Sequence, residues 1–248
     1  MTTEHDLLKR MLLDAAKIFD SNNKVFWLDC GTLLGFTRDG SFIEWEHDLD
    51  LGAWKEEKDL ACKRRIASDF RTLGYETYFS DAHVNVGPKG GKVKVCLDIN
   101  FYERKDNMAL KPTFVPKNRL AKISHLLLWS LYDRNILKLR NFRFKIIRNT
   151  LMIFFPNLLF HLLPISLREI GLSKIDKTQN TSLFVNKSWM VPTRFFDNLK
   201  HIRVLGHDFA VPQDSEGYLE YRYGIDWKRP NRNWDTLTQD KSVKGNRV

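Results

Sequence analysis

The sequence predicts an α+β fold in which a mixed or antiparallel sheet is flanked by helices. Residues 4–20 and about 56–73 carry apolar side chains at helical spacing, and short β-prone runs lie between and after them. Two of those runs are joined by residues 87–91, Gly-Pro-Lys-Gly-Gly, which are typical of a hairpin connection. Strands joined by a hairpin pair antiparallel, so the sequence argues against an all-parallel sheet.

The first half of the predicted core runs from residue 4 to residue 52. The helix over 4–20 ends at the turn-forming residues 21–23, and residues 25–29 are short and β-prone, as in a buried strand. The Cys-Gly-Thr-Leu-Leu-Gly-Phe that follows predicts a strand-to-helix turn. Residues 47–52 alternate charged residues with leucine, which predicts a strand with one solvent-facing side.

The second half of the core begins with the helix over about 56–73, which Gly74 terminates. Three strand-like runs follow, over residues 75–79, 83–86 and 92–101. Residues 120–170 are predicted to be helical. Residues 190–236 return to short strands, turns and a helix around Tyr218–Tyr223.

The cysteines and the N-terminus exclude several classes of protein. Cys30, Cys62 and Cys96 are scattered and odd in number, without the close pairing that zinc ribbons and disulfide frameworks need. A reducing compartment is the simpler assumption, and we expect a cytoplasmic protein. The first 19 residues have charges spread through them, which predicts a helix of the fold and not a signal peptide.

The charge is unevenly distributed along the chain. The net charge is +10, with 14 basic and 17 acidic side chains in residues 1–100 against 26 and 13 in residues 101–248. A basic second part suits nucleic acid, anionic lipid or a phosphorylated substrate, and charge alone does not choose among them.

Residues 134–167 combine a basic run with an apolar run. The apolar part, residues 151–167, is interrupted by Pro156 and Pro164 and is shorter than the roughly 20 residues that a spanning helix needs. One interpretation is a buried helical hairpin flanked by solvated lysines and arginines. The other is a peripheral membrane contact, with bulky side chains in the headgroup layer and arginines against anionic lipid.

Three aspartates form the most informative pattern. Asp48 and Asp50 lie two apart in a predicted strand, so their carboxylates project from the same face, and Asp98 lies in the apolar strand Lys-Val-Lys-Val-Cys-Leu-Asp-Ile-Asn-Phe. Carboxylates held close together repel one another unless a cation is present, and a buried Asp needs a partner. The pattern therefore predicts a site for Mg²⁺ or Mn²⁺, which prefer hard oxygen ligands.

A phosphate-binding turn is predicted beside those aspartates. Gly31 and Thr32 begin a helix after a strand, where free backbone N–H groups and a hydroxyl can bind an anion. Arg38 can add a charge-assisted contact to the same phosphate.

These residues carry a family resemblance. Residues 27–52, with Gly-Thr-Leu-Leu-Gly, Arg38 and Asp-Leu-Asp, resemble the signature of the LicD/fukutin-related phosphotransferases, which are related to the nucleotidyltransferase (polymerase-β-like) superfamily. Residues 95–102 match around Asp98, and residues 210–230 resemble the closing Tyr-Gly-x-x-Trp element of the family. The resemblance implies a nucleotidyltransferase-like core.

The resemblance also implies an activity. It is the transfer of a phosphorylated group, such as ribitol phosphate, glycerol phosphate or phosphocholine, from a CDP-activated donor to a sugar hydroxyl. The acceptor would be a surface (capsule) glycan or a lipid-linked saccharide at the inner face of the membrane. Asp48, Asp50 and Asp98 become metal ligands, and Asp98 also orients or deprotonates the hydroxyl. Gly31 and Thr32 would hold the donor diphosphate, with Arg38 beside it.

Four segments make up the predicted organisation of the chain. They are a catalytic core over 1–118, a basic and apolar helical insertion over 119–170, a short α/β C-terminal part over 171–236, and a flexible tail over 237–248. Since the insertion has no counterpart in the resemblance, we expect acceptor specificity there.

Several alternatives remain open from the sequence. A nucleotidyltransferase would use the same carboxylates on a nucleoside triphosphate, and a non-catalytic nucleic-acid binder would use the basic part, although no nucleic acid is expected. His47 is either a general base or a half-exposed residue that stabilises the turn. The aromatic residues Tyr218, Tyr221, Tyr223 and Trp227 either stack on a ligand or pack in the core.

Overall fold

The computed structural model describes residues 3–56, 59–79, 83–89, 95–119, 121 and 184–245. The chain divides into a larger unit, residues 1–78, 82–113 and 187–248, and a smaller unit, residues 79–81 and 114–186. The predicted helical insertion over 119–170 lies outside the described residues except for 119 and 121, and so does the whole of 134–167.

The described chain begins with alternating helices and strands and continues mainly with strands from residue 75 onward. The first are α1 (Glu4–Ser21), β1 (Phe26–Leu28), α2 (Cys30–Arg38), β2 (Asp48–Trp54), α3 (Asp59–Thr72), β3 (Tyr75–Phe79), β4 (His83–Pro88), β5 (Cys96–Lys105) and β6 (Met108–Lys111). They are followed by β7 (Phe114–Pro116), β8 (Phe184–Pro192), α4 (Arg194–Asp197), β9 (Leu199–Val204), β10 (His207–Pro212), α5 (Ser215–Tyr223), α6 (Thr236–Gln239) and β11 (Val243–Gly245).

Strands β2 and β5 form the centre of the sheet in the larger unit. They pair parallel, β1 pairs antiparallel with β2, and β4 pairs antiparallel with β5. Beyond the end of the β4 pairing, β5 pairs antiparallel with β6. Strand β6 in turn pairs antiparallel with β8, and β8 with β11. The predicted mixed sheet flanked by helices is confirmed, and so is the antiparallel connection from β4 to β5. In the smaller unit, β7 pairs with residues 184–186.

One face of the central strands is apolar and buried; α1 packs against β2 and β5, and α3 packs against α1 and β4. Leu49, Leu51, Leu97 and Ile99 are at most 1% exposed, and side chains of this kind stabilise a fold by about 1.5–3 kcal/mol each on burial. Helix α1 is capped by Thr3, whose hydroxyl accepts a hydrogen bond from the Asp6 backbone N–H in a capping box.

The C-terminal segment is part of the fold, which corrects the prediction of a flexible tail over 237–248. Residues 236–239 form α6, and β11 pairs with β8. Asp240 is 4% exposed and forms an ion pair with Arg222 of α5, which is 1% exposed. A buried ion pair and a strand pairing fix this segment as far as residue 245. In the part of the chain described here, no helix is both long and apolar enough to cross a membrane.

Candidate active site

The three predicted metal-binding aspartates lie on one face of two neighbouring strands. The parallel register of β2 and β5 places Asp50 directly beside Asp98, and Asp48 precedes Asp50 by two residues on the same face. Adjacent strands are about 4.8 Å apart, so the alternation of each strand and the register between them bring the three carboxylates together.

Neighbouring polar groups hold these carboxylates. The Gly31 backbone N–H donates to Asp50 Oδ2 at 3.3 Å, and the Asn100 side-chain amide donates to Asp50 Oδ1 at 3.5 Å. On the other side, the amide of Asn85 in β4 donates to Asp98 Oδ1 at 2.6 Å. The polar face is therefore a row of hydrogen-bonded groups that crosses β4, β5 and β2.

The negative charges of these aspartates repel one another. Burial, followed by the charges of Asp48, Asp98 and Asp29, raises the pKa of Asp50 well above its usual range. Asp48 is exposed as a residue, yet the protein atoms around its carboxylate desolvate it, and this effect together with the Asp98 charge raises its pKa. A bound cation would relieve this repulsion.

The donor set suits a hard divalent cation in the type of its ligands and in sharing one face of the sheet. Three carboxylates on one face offer the oxygen ligands that Mg²⁺ and Mn²⁺ prefer. Across the described ranges, however, no three His, Cys, Asp or Glu side chains converge as a metal-binding group in the conformations seen. The carboxylates of Asp50 and Asp98 are instead engaged by Gly31 and Asn85.

The predicted phosphate-binding turn packs directly against Asp50. Gly31 and Thr32 are buried in the first turn of α2, and Thr32 Oγ1 accepts a hydrogen bond from the Asp50 backbone N–H at 2.8 Å. The side chain of Asp29 caps the helix, and Cys30 has a positive φ of 44°. The structure thus brings Gly31 and Thr32 together with the aspartates.

Arg38 lies at the opposite end of α2, about 10 Å along the helix axis from Gly31. Its guanidinium donates to both oxygens of Asp39, at 2.8 and 2.6 Å, and lines a cavity of about 340 Å³. The Asp39 carboxylate raises the pKa of Arg38. Arg38 is therefore separated along the helix from the turn that sequence analysis placed beside it.

Glu46 connects the cavity to the turn. It lines the cavity, and its carboxylate lies so close to Gly31 that a Cβ at position 31 would collide with it. Burial and the Asp48 charge raise the pKa of Glu46 to about 7, and the Arg38 charge opposes that shift.

With this geometry described, comparison with known proteins identifies the family. Residues 23–172 match the family model described as LicD/FKTN/FKRP, nucleotidyltransferase domain. The chain belongs to this family. Membership supports a phosphotransferase-like role on a nucleotidyltransferase fold, as the resemblance implied.

Two curated relatives of this LicD-family chain come from Rickettsia. An uncharacterized protein of Rickettsia prowazekii (strain Madrid E) is 26% identical over 137 residues, which are 55% of this chain and 46% of the relative. An uncharacterized protein of Rickettsia typhi (strain ATCC VR-144 / Wilmington) is 32% identical over 100 residues, 40% of this chain and 30% of the relative. The chain thus spans less than half the length of each.

Among solved structures, the crystal structure of ANT(2")-Ia in complex with adenylyl-2"-tobramycin is similar over part of the chain. The identity is 15% and the TM-score 0.30, and the match covers 40% of this chain and 52% of that one.

Sequence analysis missed the polar residues that support the site of this LicD-family chain. Asp29 is fully buried and accepts hydrogen bonds from the hydroxyls of Tyr102, at 2.7 Å, and Tyr218. Arg222 lies 3.6 Å from Asp29 and donates to Cys30 Sγ. A carboxylate directly before the predicted helix was a detectable N-cap signal for Asp29. Nothing in the sequence near Arg222 marks it as a partner of residues 29 and 30.

The contacts of His47 and of the aromatic residues bear on two alternatives that the sequence left open. Nδ1 of the half-exposed His47 lies 2.7 Å from Glu4 Oε2 at the start of α1, which favours a structural role. Tyr218 is fully buried and packs against Phe195 and Phe196, whereas Tyr223 and Trp227 line the cavity. The aromatic cluster therefore contributes both to the core and to the cavity.

Proposed function

We propose that this protein transfers a phosphorylated group, an alditol phosphate or phosphocholine, from a CDP-activated donor to a sugar hydroxyl of a glycan or lipid-linked saccharide. The observation that carries the proposal is the alignment of Asp48, Asp50 and Asp98 beside the N-terminus of α2, within a LicD-family domain. Membrane contact through residues 134–167 stays a prediction.

Each residue has a role in this proposal. Asp48, Asp50 and Asp98 would hold Mg²⁺ or Mn²⁺, which supplies charge neutralisation at the phosphate and the leaving nucleotide when bound. The positive end of α2, where Gly31 and Thr32 lie, would hold the donor diphosphate. Asp98, oriented by Asn85, would accept the proton of the attacking hydroxyl as that oxygen bonds to phosphorus and the bond from phosphorus to CMP breaks.

A thermal-shift series tests this proposal. CDP-ribitol, CDP-glycerol, CDP-choline, CTP and ATP are each added with Mg²⁺ or with EDTA, to the wild type and to Asp48→Asn. A ligand that binds only the folded state raises the melting temperature. We expect a magnesium-dependent rise with one CDP conjugate that is absent in Asp48→Asn and retained in the control Asp208→Asn, whose carboxylate is exposed on β10.

Product analysis then separates transfer from its nearest rival. Release of CMP from the stabilising donor in the presence of an acceptor supports phosphotransfer. Release of pyrophosphate from a triphosphate would show nucleotidyl transfer by the same carboxylates. If no nucleotide changes the melting temperature, the proposal is wrong.

A further inference from the structure

Lys111 of β6 is a buried cation beside the polar face of the central strands. It is 9% exposed, its ammonium donates a hydrogen bond to the side-chain oxygen of Asn100, and its nitrogen lies 3.8 Å from the ring centroid of Trp189. Trp189 is its partner across β6 and β8. Burial lowers the pKa of Lys111, and negative charges nearby, among them those of Asp98 and Asp50, oppose that shift. An amide oxygen and an aromatic ring, both neutral, therefore hold a charge whose burial is costly.

Asn100 lies between this lysine and Asp50. It is 1% exposed, and its amide nitrogen donates to Asp50 Oδ1 at 3.5 Å while its oxygen accepts from Lys111. An ammonium has three donors and no acceptor, so it can bind only the oxygen end of an amide. The NH₂ end is then left for Asp50, whose ionised carboxylate can only accept. The lysine thus decides which end of Asn100 faces the carboxylate.

The Asp50 carboxylate is held at both of its oxygens. Asn100 donates to Oδ1, and the Gly31 backbone N–H donates to Oδ2 at 3.3 Å. If the Asn100 amide turned over, its oxygen would face Oδ1 and the two acceptors would repel each other. Groups that hydrogen-bond to a metal-binding carboxylate set its orientation, and their loss typically weakens metal binding about 10- to 100-fold. The orientation of Asn100 therefore bears on the site as well as on the core.

We infer that Lys111 is a positioning residue: it holds Asn100 with its NH₂ group toward Asp50 and thereby fixes the Asp50 carboxylate for a cation. The role toward a cation rests on the proposed function, in which Asp50 is a metal ligand. The rival explanation is purely electrostatic, with Lys111 offsetting the negative charge of the aspartates. The two differ in sign, because loss of a nearby positive charge alone would tighten the binding of a cation, whereas loss of the positioning contact would weaken it.

Mn²⁺ binding to the full chain, without donor or acceptor, tests this inference. The free ion is counted by electron paramagnetic resonance during a titration, and Asp48→Asn shows whether binding occurs at the aspartates. We expect Lys111→Met and Asn100→Leu each to weaken binding about tenfold. Because both act through the same contact, the double variant should bind no more weakly than Asn100→Leu alone. Lys111→Arg keeps a cation that only donates, and it should bind nearly as tightly as wild type.

Lys63→Met is the matched control. Lys63 is 2% exposed, and its ammonium lies 4.5 Å from the ring centroid of Phe101, which alternates with Asn100 and so faces the other side of β5. The variant removes a buried ammonium away from the polar face, and Mn²⁺ affinity should not change.

Melting temperatures establish which variants are folded. Unchanged or tighter Mn²⁺ binding in folded Lys111→Met, or losses that multiply in the double variant, would overturn the inference. If Lys111→Met does not fold, Lys111→Arg decides: full affinity supports the inference, and a loss equal to that of Asn100→Leu overturns it.

A second readout does not depend on metal. In isotope-labelled protein with EDTA, the side-chain NH₂ signals of Asn100 in the NMR spectrum are identified by their absence in Asn100→Leu. They should shift in Lys111→Met and stay in place in Lys63→Met. If wild type binds no Mn²⁺ while these signals shift as expected, the orientation of Asn100 by Lys111 stands and the metal site of the proposed function is wrong. If Mn²⁺ binds wild type and Lys111→Met equally and the signals do not shift, the metal site stands and the inference is wrong.

Discussion

The two faces of the central strands are built from alternate residues of the same segments, yet one face is apolar and buried and the other carries a cluster of carboxylates. On one face, Leu49, Leu51 and Leu97 are buried in the core. On the other, Asp50 and Asp98 lie side by side, and burial together with the neighbouring negative charges raises the pKa of Asp50. Because side chains alternate along a strand, one run of seven residues, Asp48–Trp54, serves both purposes.

The difference shows how the fold accommodates a repulsive cluster. Burial on the apolar face supplies stability that does not depend on the carboxylates, and the polar face is therefore free to hold charges that repel. Substitutions on the two faces should consequently separate stability from activity, even between residues adjacent in sequence.

Asp50→Asn should have the largest effect and should act on activity alone. Losing one ligand of a charge-stabilising site costs about 10²–10³ in rate. Since the folded state raises the pKa of Asp50, its ionised form is unfavourable there at neutral pH, and the neutral amide should leave the melting temperature in EDTA equal or higher. Donor turnover and thermal denaturation measure the two effects. A folded Asp50→Asn with full turnover would contradict the assignment of the polar face.

Arg222→Met tests the buried support beneath the polar face. Arg222 Nε donates to Asp240 Oδ2 at 2.9 Å, and Nη1 donates to the hydroxyl of Tyr218 at 2.9 Å. Its removal leaves the carboxylate of Asp240 buried without a counter-charge, which costs about 3–5 kcal/mol of unfolding free energy. Urea denaturation measures the loss.

The double variant Arg222→Met with Asp240→Asn is the matched control. It removes both charges and should recover part of the stability, because the penalty arises from the unpaired carboxylate. Equal stability of the single and double variants would show that packing of the arginine, and not its charge, matters there.

The features of the fold and site that could be predicted are those marked by a pattern of residues close together in the sequence. The alternation around Asp48 and Asp50 and the turn at Gly31 are local patterns, and both were predicted from the sequence. The contact of Arg222 with Cys30 joins residues 192 positions apart, and no nearby pattern announces it. For the same reason the burial of Asp240 was missed, and residues 237–245 were mistaken for part of a flexible tail.

The register between β2 and β5 is a second limit of sequence reasoning. The sequence placed Asp98 in an apolar strand and assigned it to the site because a buried carboxylate needs a partner, and the resemblance implied the same role. Its position directly beside Asp50 depends on how two strands 48 residues apart align. Strand propensity contains no information about that alignment, whereas the burial of one face fixes it in the folded protein.

Leu51→Ala should produce the opposite result to Asp50→Asn from the adjacent position. Leu51 is fully buried on the apolar face, and deletion of such a side chain costs about 2–5 kcal/mol. We expect a large fall in stability in urea and a nearly unchanged turnover per folded molecule. Leu73→Ala, at a position that is 45% exposed, is the control and should stay within about 0.5 kcal/mol of wild type. A turnover defect in Leu51→Ala beyond its unfolded fraction would break the separation of the two faces.

Gly52→Ala should cause the smallest loss of stability. It tests whether the close approach of Trp27 is what requires glycine two residues after Asp50. Gly52 pairs with Trp27 across β1 and β2, and a Cβ at position 52 would collide with the indole. Trp27 is fully buried and stacked on Phe196 at 4.6 Å, so the ring has little room to move and the overpacking should cost about 1–3 kcal/mol. Trp27→Phe makes room for the methyl group, and the double variant should be more stable than the sum of the two single losses. If the losses of unfolding free energy in the two single variants add exactly in the double variant, the strand must shift to accept the methyl group. The close approach of Trp27 would then not be the reason for glycine at position 52.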